Sequence, residues 1–157
     1  MDTVVLVFIL LLLSVFALFS AEKALVRFYL MFQVRRQWFP LGRFVFFCYP
    51  EDTGWRGCIE EAIIPLFEDS AVVSICMDDP VVPRMRAPMT DRIMQTFGEG
   101  VRCPFALVFK PYFGYEVIDF YDAFKDLDKG DGYLLKKRRE QLMSIVEDLR
   151  ERMYIYI

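Results

Sequence analysis

The chain has 157 residues, a formal net charge of −3 and no histidine, and 55% of its residues are hydrophobic. This charge gives no basis for binding nucleic acid, which is recognised through basic surfaces. Without histidine the chain lacks the residue needed for Ser-His-Asp or Cys-His catalysis, a Cys2His2 zinc site or His-ligated haem. Enzyme chemistry would have to use cysteine, carboxylates or lysine, and we expect no metal and no cofactor.

An uncharged apolar run occupies residues 3–21. At about 1.5 Å per residue, a helix of this length crosses a hydrocarbon core of about 30 Å. We therefore predict a membrane anchor over residues 1–21, in contact with the lipid bilayer through residues 3–21. The alternative is a secretory signal peptide, which needs basic residues before a shorter apolar run and small residues at its cleavage site. Here Asp2 precedes the run, and Phe19 lies three positions before the best cleavage point, after Ala21.

The charges that flank the anchor predict its orientation. Residues 22–43 contain five basic residues and one acidic residue, whereas the N-terminal flank has only Asp2. Because basic flanks stay on the side of synthesis, we expect the C-terminal part in the cytosol or the mitochondrial matrix, with the mitochondrial inner membrane favoured. Both compartments are reducing, so the sequence predicts thiols rather than structural disulfides. The cysteines concerned are Cys48, Cys58, Cys76 and Cys103.

After the anchor, residues 22–41 form a helical connector that ends near Pro40. The anchor helix either continues through this connector or gives way to a short surface helix lying on the domain. A folded domain is predicted over residues 42–125 and a linker over residues 126–132. Residues 133–157 are predicted to form a C-terminal amphipathic helix, over 133–153, and an apolar tail. The helix has one apolar face, formed by Leu135, Leu142, Val146, Leu149 and Met153.

Within the domain, short apolar runs alternate with helical patterns. Strands are predicted over residues 43–48, 71–77, 104–110 and 115–120. Helices are predicted over residues 58–68, with a kink at Pro65, and from Thr90, as its N-cap, to Phe97. The two strand–helix–strand crossovers predict parallel pairing, and the turn at residues 111–114 predicts an antiparallel hairpin. The fold class is therefore α/β, a mixed four-stranded sheet flanked by helices.

Residues 43–124 resemble the thioredoxin superfamily in pattern. Thioredoxins have a buried strand running into a W-C-G-P-C loop that opens a helix, and FVFFCYPEDTGWRGCIEEA stands in that place here. They also have a cis-proline that begins a later strand, to which CPFALVFKPYFGYEVIDF is similar. The resemblance implies that Pro104 is the cis-proline and that Gly114 is the glycine of the hairpin.

The chain departs from this family at the reactive loop. If Cys58 is the second motif cysteine, Trp55 stands where the nucleophilic first cysteine belongs, so the C-x-x-C pair is absent. Thiol–disulfide exchange needs a low-pKa thiolate at that position. The resemblance therefore implies a degenerate domain without the usual reaction, and we expect a protein that is not an enzyme.

Cys58 and Cys103 are the redox candidates of an alternative interpretation. In this fold the residue before the cis-proline lies near the start of the motif helix, so Cys103 would approach Cys58 beside Pro104. The other interpretation is that both are small buried hydrophobic residues, as Cys48 and Cys76 are expected to be.

The acidic segment 126–132 does not match a calcium loop, because Lys137 occupies the position of the bidentate glutamate. Asp131 is instead expected to cap the last helix.

Two C-terminal features are candidate contact sites. Four cations open the last helix, where they oppose the helix dipole, and an anionic lipid or an acidic partner would offset that cost. They are Lys136, Lys137, Arg138 and Arg139. The alternative is a solvated helix face. The chain ends with four apolar residues that favour association with a partner or with the domain itself. They are Tyr154, Ile155, Tyr156 and Ile157.

These features, with a surface expected to be rich in aromatic residues, favour a non-catalytic accessory subunit of a multi-subunit membrane complex. Respiratory complexes and the ATP synthase of the mitochondrial inner membrane suit the predicted orientation, an analogy at the level of the fold. Its partners would be other subunits of that complex. The alternatives are a membrane-tethered thiol-redox protein using Cys58 with Cys103, and a tethered domain that binds extended peptide beside Pro104.

Overall fold

The computed structural model describes residues 3–50, 54–76, 88–112 and 114–154. These residues form a four-stranded mixed sheet with helices on both faces, preceded by a long apolar helix and followed by a C-terminal helix. The fold class predicted from the sequence is confirmed. The helices are α1 (Thr3–Gln37), α2 (Arg56–Ala62), α3 (Met89–Phe97), α4 (Tyr121–Leu127) and α5 (Tyr133–Tyr154). The strands are β1 (Val45–Pro50), β2 (Ala71–Cys76), β3 (Phe105–Phe109) and β4 (Tyr115–Asp119).

The helix α1 is continuous from the apolar run into the connector, so no separate surface helix forms there. It ends three residues before Pro40, where a short 3-10 turn takes over and Gly42 adopts a positive φ of 71°. This turn directs the chain into β1. Within the described part of the chain, α1 is the one helix long and apolar enough to cross a membrane.

The strand order is β2-β1-β3-β4. β1 and β2 are parallel, as predicted for the crossover through α2, and β3 and β4 form the predicted antiparallel hairpin. The prediction for the second crossover was wrong, because β3 pairs antiparallel with β1. The register explains this difference: the last residue of β2 and the first residue of β3 both lie beside the carboxyl end of β1. The connection that contains α3 therefore leaves the sheet and returns to it at the same end of the strands.

Alternate side chains of the buried strands enter two apolar layers. Phe47 of β1 lies in the layer covered by α2, α4 and α5, whereas its neighbours Phe46 and Cys48 lie in the layer covered by α1 and α3. On α5 the predicted apolar face is buried, apart from Met153, whose side chain lies outside the described residues. Its buried members are Leu135, Leu142, Val146 and Leu149.

The phenylalanines belong mainly to this core and to α1. Eight of them are almost completely buried in the domain: Phe44, Phe46, Phe47, Phe67, Phe105, Phe109, Phe120 and Phe124. Among the described residues outside α1, the large exposed aromatic side chains are Tyr112, Tyr115 and Tyr133. The exposed aromatic surface therefore lies mainly on α1, because the aromatic residues of the domain fill the space between sheet and helices.

The last turns of α1 are part of the domain core. Leu30, Met31, Val34 and Trp38 are buried against the sheet and α3. The Trp38 ring stacks on Phe46 at 6.2 Å. Burying such side chains stabilises by about 1.5–3 kcal/mol each. The apolar helix is therefore mounted directly on the domain, without a flexible connection.

Local boundaries differ from the predictions at three places. α2 ends at Ala62 and gives way to a 3-10 turn that contains Pro65, since proline cannot continue the helical hydrogen bonds. Pro88 is the N-cap of α3, so Thr90 lies inside the first turn and caps nothing. The additional helix α4 precedes the linker, and Asp119 accepts a hydrogen bond from the Tyr121 N–H at its start, at 2.7 Å.

Candidate functional site

Trp55, which the thioredoxin resemblance aligns with the first motif cysteine, packs against α4. Its ring stacks on Phe124 of α4, with centroids 5.4 Å apart, and meets Tyr121 edge to face at 5.8 Å. The indole N–H donates to both carboxylate oxygens of Asp128, each at 2.9 Å. Trp55 therefore ties the start of α2 to α4, and it offers no nucleophile.

Cys58 lies in the first turn of α2 and is a partly buried free thiol. It packs against the apolar layer that contains Ile59 of the same helix and Ile63, the residue that caps the end of the helix. Helical spacing places these three side chains toward the sheet. The packing agrees with the interpretation of Cys58 as a small hydrophobic residue, and its reactivity stays a prediction.

Pro104 is buried and follows a cis peptide bond, as the thioredoxin resemblance implied. Cys103 directly before it is disulfide-bonded, whereas Cys58 is free, so the two candidate redox cysteines are not joined to each other. This differs from the expectation of a thiol at Cys103. The thiol was predicted from the reducing compartment alone. Whether a disulfide can form also depends on which cysteines the fold brings close together.

Cys48 is completely buried, as predicted. Burial, and secondly the negative charge of Asp91, raise the pKa of its thiol to about 12. The sulfur contacts Met94 Sδ at 3.6 Å. Because the thiolate is the reactive form, Cys48 is unsuited to redox chemistry. The side chain of Cys76 lies outside the described residues.

A charged cluster lies beside Pro104, and no periodic pattern in the sequence predicts it. The Arg102 guanidinium lies over the Tyr121 ring, 4.4 Å from its centroid. It also forms ion pairs with Asp122 at 2.8 Å and with Asp119 at 3.9 Å. Through these contacts Arg102 binds the segment before Pro104 to α4, and Trp55 binds the start of α2 to the same helix.

Glu60 of α2 accepts hydrogen bonds from Arg56 and from the Tyr49 hydroxyl, both at 2.9 Å. The two bonds lower the pKa of the Glu60 carboxyl. Burial and the bond to Glu60 raise the pKa of Tyr49. The hydrogen bond between Glu60 and Tyr49 links α2 to the end of β1, which indicates a structural role for these three residues.

The basic run lies in the first turns of α5. Lys136 approaches Glu140 at 3.9 Å, and Arg138 donates to Gln141 at 2.9 Å. Lys137 and Arg139 form no ion pair or hydrogen bond with any residue that the structure describes. Two of the four cations thus remain available to an anionic partner, and lipid or partner contact there stays a prediction.

The apolar tail is described only in part. The helix α5 includes the backbone of Tyr154, whereas Ile155, Tyr156 and Ile157 lie outside the described residues.

Two carboxylates of the linker form contacts within the chain: Asp126 pairs with Lys129 at 3.1 Å, and Asp131 accepts a hydrogen bond from the Tyr133 N–H at 2.9 Å. The second contact is the predicted cap of α5. No cluster of three or more metal-binding side chains occurs within the described ranges.

Comparison of the chain with protein-family models, with characterised proteins and with solved structures gives no match. The four-stranded mixed sheet with its flanking helices is compatible with a thioredoxin-like arrangement. Any functional conclusion therefore depends on this chain's own residues.

Proposed function

We propose that this protein is a non-catalytic, single-pass accessory subunit of a multi-subunit membrane complex, carrying a degenerate thioredoxin-like domain. One observation carries the proposal: the apolar helix α1 ends inside the core of the domain. Leu30 and Val34 are completely buried there, only nine and thirteen residues beyond Ala21. A domain fixed in this way holds a set position relative to the bilayer, which suits a structural subunit better than a diffusing enzyme.

The site around Trp55 supports a role without thiol chemistry. The position of the nucleophile holds an indole that is engaged by Phe124, Tyr121 and Asp128. Cys48 is buried with a raised pKa, and Cys58 packs against the core. The thiol-redox alternative requires Cys58 to react with a partner cysteine, and its distinguishing sign would be unusually fast alkylation.

As the location we propose the mitochondrial inner membrane, in a respiratory or ATP synthase assembly, with the domain in the matrix. The charges on either side of the apolar run 3–21 support this orientation. The assignment to that organelle is by analogy at the level of the fold. The Cys103 disulfide would be uncommon in a reducing compartment, so its state in cells is a test of the orientation.

The deciding experiment is affinity purification of the tagged, full-length protein in mild detergent, followed by a native gel and mass spectrometry. We expect a large assembly with defined neighbours, carbonate-resistant membrane association and an intact mass that includes residues 1–21. A lone monomer on the native gel would contradict the subunit proposal. Loss of residues 1–21 from the mature protein would instead establish the signal-peptide alternative.

A further inference from the structure

A groove of about 500 Å³ lies beside α1, where the helix leaves the apolar run and meets the domain. On the α1 side it is lined by Lys23, Arg27 and Phe28, and on the domain side by Phe97 and Tyr115. We refer to it as the α1 groove. We propose that the α1 groove binds the headgroup phosphate of an anionic phospholipid in the leaflet nearest the domain. This inference rests on the membrane placement of α1 proposed above.

The position of the groove along α1 matches the level of lipid headgroups. Lys23 and Arg27 follow Ala21 by two and six residues, hence about 3 Å and 9 Å along the helix axis. Headgroup regions extend roughly 5–8 Å beyond each side of the hydrocarbon core, so Lys23 lies within this region and Arg27 lies at its outer limit. Since the domain packs on the next turn, at Leu30, it holds the groove at this level.

The charges in the groove suit a phosphate. Lys23 and Arg27 are its charged lining residues among those described, and no carboxylate lines it. Arg27 forms no ion pair or hydrogen bond within the described part of the chain. Lys23 meets Glu99 at 3.8 Å, but both side chains are about two-thirds exposed, so this pair is weak. A guanidinium presents a planar fork of donors that matches two phosphate oxygens.

A small recess next to the groove provides a further contact. Lys23 and Arg27 also line this recess, together with Gln95 of α3 and the carboxylates of Glu22 and Glu99, so the recess suits an uncharged part of the headgroup and not its phosphate. The Gln95 side-chain oxygen is buried and accepts no hydrogen bond from any residue that the structure describes. A headgroup hydroxyl would supply the missing donor, so a headgroup with both phosphate and hydroxyl groups complements the site. Phosphatidylglycerol has this chemistry.

The apolar surroundings favour a lipid over a free anion. Phe28, Phe97 and Tyr115 form the aromatic wall of the groove, and aromatic rings are typical of the membrane interface. Elsewhere on α1, exposed apolar side chains continue past the groove at helical spacing: Leu25, Tyr29 and Phe32. The helix therefore offers apolar and aromatic surface to the membrane interface near the level of the cations.

The test is native mass spectrometry of the full-length protein in detergent, titrated with phosphatidylglycerol or with phosphatidylcholine. We expect tighter binding of phosphatidylglycerol, weakened about fivefold by Arg27→Gln and similarly by Lys23→Gln. Arg36→Gln is the matched control, because it removes the same charge from an exposed position of the same helix outside the groove. Its binding should equal that of the unmodified protein. Arg27→Lys keeps the charge without the planar fork, and we expect intermediate binding.

Equal binding of the two lipids, or equal losses in Arg27→Gln and Arg36→Gln, would overturn the proposal. Competition by inorganic phosphate at concentrations comparable to the lipid would show a small-anion site instead. If binding is lost only when Lys136 and Lys137 are both replaced by glutamine, the lipid site is the α5 basic run and not the groove. Native gels of the same variants test the accessory-subunit proposal separately, since a subunit can keep its assembly after losing its lipid.

Discussion

The Trp55 indole donates hydrogen bonds to both carboxylate oxygens of Asp128, joining residues 73 positions apart in the chain. The same ring stacks on Phe124, so the start of α2 is held to the end of α4 by one side chain. Trp55, which the thioredoxin resemblance aligns with the reactive cysteine, is a structural contact in this fold. This relationship leads directly to a prediction about stability.

Trp55→Phe should lower the free energy of unfolding by about 1 kcal/mol, because the ring contacts persist and the hydrogen bond is lost. Trp55→Ala should cost about 2–4 kcal/mol, since it also removes the stacked ring. Chemical unfolding of the full-length protein in detergent, followed by circular dichroism, measures both values. Tyr133→Ala, at a largely exposed aromatic position, is the control and should change stability by less than about 0.5 kcal/mol. Equal effects of Trp55→Ala and Tyr133→Ala would contradict the structural role.

The mounting of α1 on the domain can be tested with two residues of the same helix. Leu30 is completely buried, whereas Phe32 is about half exposed. Leu30→Ala should destabilise the domain by about 2–4 kcal/mol and raise hydrogen exchange in β1 and β3, because it opens a cavity beneath them. Phe32→Ala should leave exchange in both strands unchanged. Similar exchange in the two variants would mean that α1 is not anchored in the core.

The cysteines should differ in their reaction with iodoacetamide. Because the pKa of Cys48 is raised to about 12 and its side chain is buried, we expect no alkylation of Cys48 in the folded protein at pH 8. Under the accessory-subunit proposal, Cys58 should react no faster than the thiol of an unstructured peptide. Peptide mass spectrometry over a time course measures both rates. A Cys58 rate far above that of the peptide would favour the thiol-redox alternative.

The Glu60 contacts predict a contribution to the acid sensitivity of the fold. The folded-state pKa of Glu60 lies below its ordinary value of 4.5, so its stabilising contribution is present above that value. It is lost as the pH falls from about 4.5 through the lowered pKa. Glu60→Gln should therefore be less stable than the unmodified protein at pH 7, with a smaller difference at the lowest pH. Unfolding midpoints between pH 7 and pH 3 test this, and a constant difference across that range would contradict it.

The sequence predicted best what repeated apolar patterns control. The four strands and the buried face of α5 were recognisable because long apolar runs and helical spacing both reflect burial. The short helix α4 was missed because only Ala123 and Phe124 of its seven residues are fully buried, which leaves little periodicity. The direction of β3 relative to β1 could not be predicted from local pattern either, because it depends on which strand β3 pairs with.

The candidate site was also predicted only in part from the sequence. The resemblance in the sequence singled out Trp55, but the contact of Trp55 with Asp128 links segments that are distant in the chain. The α1 groove was missed because Arg27 and Tyr115 are brought together only by the packing of α1 across the sheet. Neither residue belongs to a motif, so the sequence contained no sign that they share a cavity.

The state of Cys103 in cells tests the proposed side of the membrane. A reducing compartment keeps cysteines as thiols, whereas the structure has Cys103 in a disulfide. If the domain faces the matrix or cytosol, we expect Cys103 to be a thiol in cells and to form the disulfide in the purified, oxidised protein. Acid-quenched cells can be treated with a maleimide before and after reduction, with Cys58 as the internal control because it is a free thiol. Labelling of Cys58 but not of Cys103 before reduction would contradict the proposed orientation and assign the domain to an oxidising compartment, because only there would the disulfide persist.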